Sequence, residues 1–191
     1  MTKIIIIGAS GSLAEYVVKE LNKNHDVKQT FFLRNKNRLS KIGIGNTAVV
    51  EGDVMDYEKL KAAISGHDIV YVNLAGNLEA MAKNITKAMH ETGVMRIIAI
   101  SSIGIYKKPL KPVLEPYRKL ADVIEGSGLD YTIIRPDWFT NDDEIDYALT
   151  VKGETEKGKA ISRKSIASFV ASIVDNPALH KNENLGISKP D

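Results

Sequence analysis

An α/β fold, one doubly wound and mainly parallel sheet with helices on both faces, is what this sequence predicts, on three observations. β-Branched runs too short for helices alternate with stretches whose apolar residues recur at helical spacing. The first run passes through a glycine-rich turn straight into the first helix. No repeat, linker or low-complexity stretch breaks the alternation, so the 191 residues, 43% hydrophobic and 26% charged, are expected to form a single domain, 1–191.

Composition narrows the function classes. The absence of cysteine excludes disulfides, thiol catalysis and cysteine-ligated metals, and it is compatible with a reducing compartment. His25, His67, His90 and His180 lie on separate elements without ligand spacing, so no metal site is expected. A net charge of +2, from 26 basic residues interleaved with 24 acidic ones, gives no argument for a nucleic-acid partner. The chain enters a strand at once and has no apolar run of membrane-spanning length, so a soluble cytoplasmic protein with no membrane contact is expected. Nothing in the sequence speaks to its oligomeric state.

The opening unit organises the rest. Ile4, Ile5, Ile6 and Ile7 read as a buried parallel strand, and Leu13, Val17 and Leu21 as the inner stripe of a helix. In the G-x-x-G-x-x-A spacing between them, Gly8 permits a sharp turn, Gly11 lets backbone approach a pyrophosphate, and Ala14 lets the helix sit close on the strand. Free N–H groups near Ser12 and Leu13 then face the anion at the positive end of the helix. A tight strand-to-helix turn without a ligand is the alternative; the strand before and the helix after favour a dinucleotide.

Val27 to Leu33 forms the second strand and ends in Leu33-Arg34-Asn35-Lys36-Asn37-Arg38. An NAD-preferring protein usually carries a carboxylate there for the ribose 2′-hydroxyl, and none is present. The Arg34 guanidinium is a planar fork matched to a 2′-phosphate, with Arg38 and Ser12 as helpers, so NADP(H) is favoured over NAD(H). A solvated basic loop is the other reading.

A third strand, Ala48 to Glu51, leads to Asp53, either an acceptor for an adenine amino group or a turn residue bonding nearby backbone. Tyr57 to Ile64 is a short helix. A fourth strand, 69–73, ends at Asn73 and is followed by Ala75 and Gly76, small residues that let backbone lie against the adenosine half of a cofactor. Leu78 to Thr92 has helical apolar spacing, and its methionines are core filling. Strand five, Arg96 to Ile100, delivers Ser101 and Ser102 to the C-terminal edge of the sheet, which in such folds borders the ligand crevice. Ser102 is the candidate contact for nicotinamide or substrate, and the one catalytic candidate; capping of a loop is its alternative.

The basic loop 106–112 reads as a solvated charge run, with contact to an anionic substrate as the alternative; a helix spans Glu115 to Glu125, and strand six covers 131–135 with Pro136 ending it. Trp138, Phe139 and Tyr147 follow in an acidic stretch. They either wall a flat conjugated substrate or plug the sheet edge. A strand is predicted over Ala148 to Val151, a helix from Ser162 with Ile166, Phe169, Val170, Ile173 and Val174 inward, and a last edge strand over 185–188.

Gly8-Ala9-Ser10-Gly11, Leu33-Arg34-Asn35, Gly52-Asp53, Ser101-Ser102, the run Ser127-Gly128-Leu129-Asp130-Tyr131-Thr132-Ile133-Ile134-Arg135-Pro136 and Ala160-Ile161-Ser162-Arg163 together resemble the atypical short-chain dehydrogenase/reductase families. The neighbourhood is that of the NmrA-like proteins and the NAD(P)H-flavin reductases of the biliverdin reductase B type, and the likeness covers nearly the whole chain. It implies a Rossmann-type sheet, NADP(H) as cofactor, and a small-molecule acceptor such as a flavin as substrate. The cofactor is then expected on Gly8, Ser10, Gly11, Ser12, Leu13, Arg34, Arg38, Asp53, Asn73, Ala75, Gly76, Ser101 and Pro136, with Trp138 and Phe139 over the acceptor.

One departure bears on mechanism. Typical short-chain dehydrogenases use a Tyr-x-x-x-Lys pair on the helix after strand five, but Tyr117 is followed at that spacing by Ala121. Lys119 is two residues on and faces another way; Tyr57 and Lys61 match the spacing in the wrong crossover. Carbonyl reduction through tyrosine is therefore disfavoured, whereas hydride transfer to a flavin needs chiefly proximity and orientation. The alternative is a non-catalytic NADP(H) sensor of the NmrA-like type. A sugar-nucleotide epimerase ranks last, because it too needs the pair. The serines form no G-x-S-x-G elbow, so a hydrolase has no support.

Overall fold

Ile4, Ile5, Ile6 and Ile7 are inaccessible to solvent because the strand that carries them lies inside the sheet with helices on both faces. The computed structural model describes residues 1–39 and 47–191. In chain order its elements are β1 (Thr2–Ile7), α1 (Ser12–Leu21), β2 (Val27–Leu33), β3 (Ala48–Glu51), α2 (Tyr57–Ile64), β4 (Ile69–Val72), α3 (Leu78–Thr92) and β5 (Arg96–Ile100). They continue with α4 (Glu115–Glu125), β6 (Asp130–Pro136), β7 (Phe139–Thr140), β8 (Ala148–Val151), β9 (Ile161–Ser162), α5 (Arg163–Asp175) and β10 (Glu183–Ser188). The main sheet runs β3-β2-β1-β4-β5-β6-β10-β8, and β7 and β9 form a separate two-stranded ribbon. The pairings from β3 through β10 are parallel, and β8 alone runs antiparallel to its neighbour, β10.

The period of two along β1 sorts its side chains into two cores. Ile4 and Ile6 pack with α1 and α5, through residues such as Val17, Leu21, Phe169 and Ile173. Ile5 and Ile7 pack with α2, α3 and α4, through Leu60, Ile85, Leu120 and Ile124. Burying each such side chain contributes about 2 kcal/mol. No helix among the described residues is long and apolar enough to cross a membrane.

Residues 183–188 differ from the expectation of an edge strand. β10 lies between β6 and β8, and β8 forms the edge. The reason is that β8 folds back antiparallel onto the outer edge of β10, satisfying its backbone groups, and leaves its own residues Ala148 and Val151 exposed. The helix expected from Ser162 begins one residue later, with Ser162 as its N-cap accepting from the Ser165 amide at 3.0 Å. β4 stops at Val72, which leaves Asn73 in the loop.

Two buried arginines close the second half. Arg96 donates to the carbonyls of Pro177 (2.9 Å), Leu179 (3.0 Å) and Asp130 (3.0 Å) and to the Thr132 hydroxyl (2.7 Å). It thereby ties β5 and β6 to the turn after α5; burial pushes this guanidinium down to about 10, still charged at neutral pH. Arg135 pairs with Glu156, both almost wholly buried, and Glu156 also accepts from the Gly104 amide at 2.9 Å. Together these bonds pin the loop after β8 to β6 and to the loop after β5.

The turn after β1 is tight. Gly8 has φ +89°, and a Cβ there would sit 2.1 Å from the Asn73 carbonyl oxygen. Gly66 has a similar φ of +78° with open space around it. Gly66→Ala is expected to cost about 1 kcal/mol, the left-handed penalty alone, and Gly8→Ala about 3 kcal/mol because collision with backbone is added. Urea unfolding of the two variants checks this, and equal losses would show that the approach at Asn73 is not constraining.

Candidate functional site

Moving outward from β1, the chain turns to β2 on one side, whereas the next neighbour on the other side is β4. A parallel sheet that reverses its winding in this way leaves a crevice beyond the strand ends at the switch. A cleft of about 620 Å³ occupies that place.

Its floor is the turn after β1. The Gly11 amide bonds the Gly8 carbonyl at 3.0 Å, and the Gly8 amide bonds the Phe32 carbonyl at 2.9 Å, so the turn is closed by backbone alone. α1 then starts at Ser12 with no side chain capping it, and Gly8, Ser10, Gly11, Ser12 and Leu13 all line the cleft. An uncapped helix N-terminus presents amide N–H groups and a partial positive charge, the environment a pyrophosphate fits. A Cβ on Gly11 would lie 3.0 Å from Asn73 Nδ2 and 3.3 Å from the Gly8 carbonyl oxygen, which identifies the position as a close-approach site.

The wall after β2 carries Arg34, Asn35 and Arg38, with both arginines exposed. Asn35 starts a short 3-10 turn by accepting from the Asn37 amide at 2.9 Å, and this turn sets the spacing of the two guanidinium groups. Glu51 is engaged elsewhere, accepting from the Lys36 amide at 2.9 Å. Asp53 serves in a turn and also lines the cleft: its Oδ1 accepts from the Met55 amide at 2.8 Å. Phe32 and Val54 supply apolar surface, and Asn73, Leu74 and Ala75 of the loop after β4, with Met81 of α3, complete this wall.

Six of the residues singled out in the sequence lie outside the cleft lining. Ser101 Oγ donates to the Tyr117 carbonyl at 3.0 Å and is buried, so it braces α4 against the end of β5. Ser102 Oγ donates to the carbonyl of Ile103 at 3.2 Å, a local backbone bond of the capping kind. Pro136 accepts from the Ile103 amide at 3.0 Å through its carbonyl. Gly76 lies in a separate shallow groove with Asn77, Leu78, Glu79 and Glu115. The aromatic trio does not converge: Trp138 is 80% exposed, Tyr147 packs on Phe169 at 5.5 Å between ring centroids, and Phe139 alone reaches the cleft.

Tyr117 also lines the cleft, although no lysine follows it at the usual spacing. The sequence carries a signal for it. Tyr117 sits three and four residues before Leu120 and Ala121, on the buried face of α4. The first turn of a crossover helix lies at the C-terminal edge of the sheet, so that face looks into the crevice. Lys119 points away and pairs with Glu79 at 3.3 Å.

A switch-point cleft floored by a glycine turn and a free helix N-terminus defines a dinucleotide-binding protein of the Rossmann type. The chain belongs to the NAD(P)H-binding family, whose model matches residues 8–177. The family is of the atypical short-chain dehydrogenase/reductase kind that the motifs resemble. The structure of a Rossmann-fold NAD(P)-binding family protein from Shigella flexneri is 41% identical, with a TM-score of 0.91 over 100% of this chain and 94% of that one. The protein named uncharacterized sugar epimerase YhfK, from Bacillus subtilis (strain 168), is 28% identical over 91% of this chain and 88% of its own. An isoflavone reductase homolog, A622-like, from Nicotiana tabacum is 26% identical over 92% of this chain. The match spans 65% of that tobacco protein's length.

Gly11→Val is expected to abolish binding of NADPH and NADH while circular dichroism and the urea midpoint stay near those of the wild type. Asn73 can swing aside from the new side chain, but a pyrophosphate cannot. Binding retained in this variant would overturn the turn geometry described above.

Proposed function

We propose that this protein is an NADPH-dependent reductase that delivers hydride to a flavin or another flat, conjugated small molecule. The observation that carries the proposal is the polarity of the cleft, with arginines at one end and the rings of Tyr117 and Phe139 at the other. Arg34 and Arg38 follow β2, Phe139 follows β6, and β2 and β6 are four strand spacings apart in the sheet. At about 4.8 Å per spacing that separation is roughly 19 Å. An extended dinucleotide bound across the switch point runs in this direction.

Arg34 supports NADP(H) over NAD(H), since a guanidinium pairs with a 2′-phosphate where NAD-preferring proteins place a carboxylate. The turn residues Gly8 and Gly11 and the amides of Ser12 and Leu13 would hold the pyrophosphate, and Asn73, Leu74 and Ala75 would lie along the adenosine and ribose. The bound cofactor supplies the hydride. Tyr117 and Phe139 would orient the acceptor and exclude water from its reacting face. A conjugated acceptor takes its proton from solvent, which suits a site where Ala121 stands in place of the usual lysine. Neither a sensor role nor the epimerase name of the Bacillus relative has a comparable observation behind it. A sensor needs no aromatic wall, and epimerisation through a carbonyl needs the tyrosine–lysine pair.

Anaerobic oxidation of NADPH by the purified protein, followed at the reduced-nicotinamide absorbance with FMN and a panel of quinones, tests the proposal. Saturable turnover above background is expected. NADPH binding without turnover of any of these acceptors would overturn the reductase reading and leave the sensor. Arg34→Asp is expected to weaken NADPH binding by roughly ten- to hundredfold with NADH changed far less. An equal loss for both would remove Arg34 from the 2′-phosphate.

A further inference from the structure

Four consecutive residues at the start of α5 grip the acidic segment that follows β6. Ser162 Oγ donates to the Glu144 carbonyl at 2.7 Å. Lys164 Nζ pairs with the Asp143 carboxylate at 2.7 Å, and Ser165 Oγ accepts from the Asp146 amide at 3.0 Å. None of the three groups they hold lines the cleft. Arg163 is different. Its Nη1 donates to the Thr140 carbonyl at 3.2 Å and to Asn141 Oδ1 at 2.8 Å, and its guanidinium carbon stands 5.0 Å from the centroid of the Phe139 ring. Phe139 is the residue of this segment that lines the cleft, and it is 38% exposed. Backbone pairing secures it only weakly, because β7 and β9 match over two residues.

We propose that Arg163 is the positioning residue for the acceptor: by stacking on Phe139 and bonding the two residues after it, Arg163 fixes the ring as the wall against which a flat acceptor is held. The inference deepens the reductase reading and rests on it. A guanidinium can stack on a ring and donate in its own plane at the same time, whereas an ammonium is a point charge that can do one of these well. Lysine at this position therefore keeps the charge and loses the combination. The cofactor end of the cleft is remote from the contact, so the effect falls on the acceptor.

The test is steady-state kinetics with FMN, combined with NADPH titrations. Arg163→Met is expected to raise KM for FMN about tenfold or more with kcat changed much less and the NADPH dissociation constant within about twofold. Arg163→Lys should fall between Met and wild type. Phe139→Leu should raise the same KM, and the double variant should be no worse than the worse single one, since Arg163 acts through Phe139. An unchanged KM in Arg163→Met, a parallel loss of NADPH affinity, or additive single effects would overturn the proposal.

Amide hydrogen exchange gives a second readout that does not depend on turnover. In Arg163→Met, faster exchange confined to residues 138–147 is expected, with the core of α5 unchanged. Loosening throughout α5 would reduce Arg163 to a structural residue and overturn its positioning role. A wild type that turns over no acceptor would defeat the reductase reading by itself. The exchange pattern would then decide whether Arg163 holds Phe139.

Discussion

Gly8 approaches the carbonyl of Asn73 so closely that no side chain fits between the two backbones. This approach exists because β1 and β4 are neighbours although two strands and two helices separate them in sequence. That adjacency marks the point where the winding of the sheet reverses, and a crevice at the strand ends follows from it. The turn must leave β1 sharply enough to clear Asn73, and in doing so it aims α1 so that its uncapped N-terminus faces the crevice. One steric constraint thus places both the cleft and its positive end.

The cleft is built from two halves of the chain with different chemistry. Residues up to Asp53 supply glycine, amides and guanidinium groups, which suit phosphates. The second half supplies the rings of Tyr117 and Phe139, which join Phe32 of the first half in the lining, and each of the two is secured by a polar residue behind it. Ser101 holds the carbonyl of Tyr117, and Arg163 stacks on Phe139. Polar residues that resemble site residues in sequence thus act one step back from the surface that a ligand would meet.

Buried charge does comparable work in the second half. Arg96 and Arg135 sit in the interior of the fold, where an unpaired cation would be costly: Arg96 is enclosed by acceptors from several elements, and Arg135 is paired with the Glu156 carboxylate. The Glu156 partner of Arg135 also takes the Gly104 amide, so the loop after β8 is anchored to the loop after β5. Such networks specify a geometry because the penalty for leaving any member unsatisfied is larger than the gain from any one bond.

By itself the sequence determined the parallel α/β sheet, the two-faced β1, the glycine turn and the arginines after β2. The physical reason is that strand and helix periodicity and turn chemistry are local: Ile4 to Ile7 and Leu13, Val17 and Leu21 announce their burial within about twenty residues. The order of the last strands, the dispersal of Trp138, Phe139 and Tyr147, the bracing role of Ser101 and the place of Tyr117 in the cleft were decided only by tertiary structure. Those features depend on contacts between distant segments, such as β10 with β8 and the start of α5 with the acidic segment after β6. A hydroxyl or a ring looks the same in sequence whether it faces a ligand or another part of the chain; which one it meets is set by packing that no local pattern encodes.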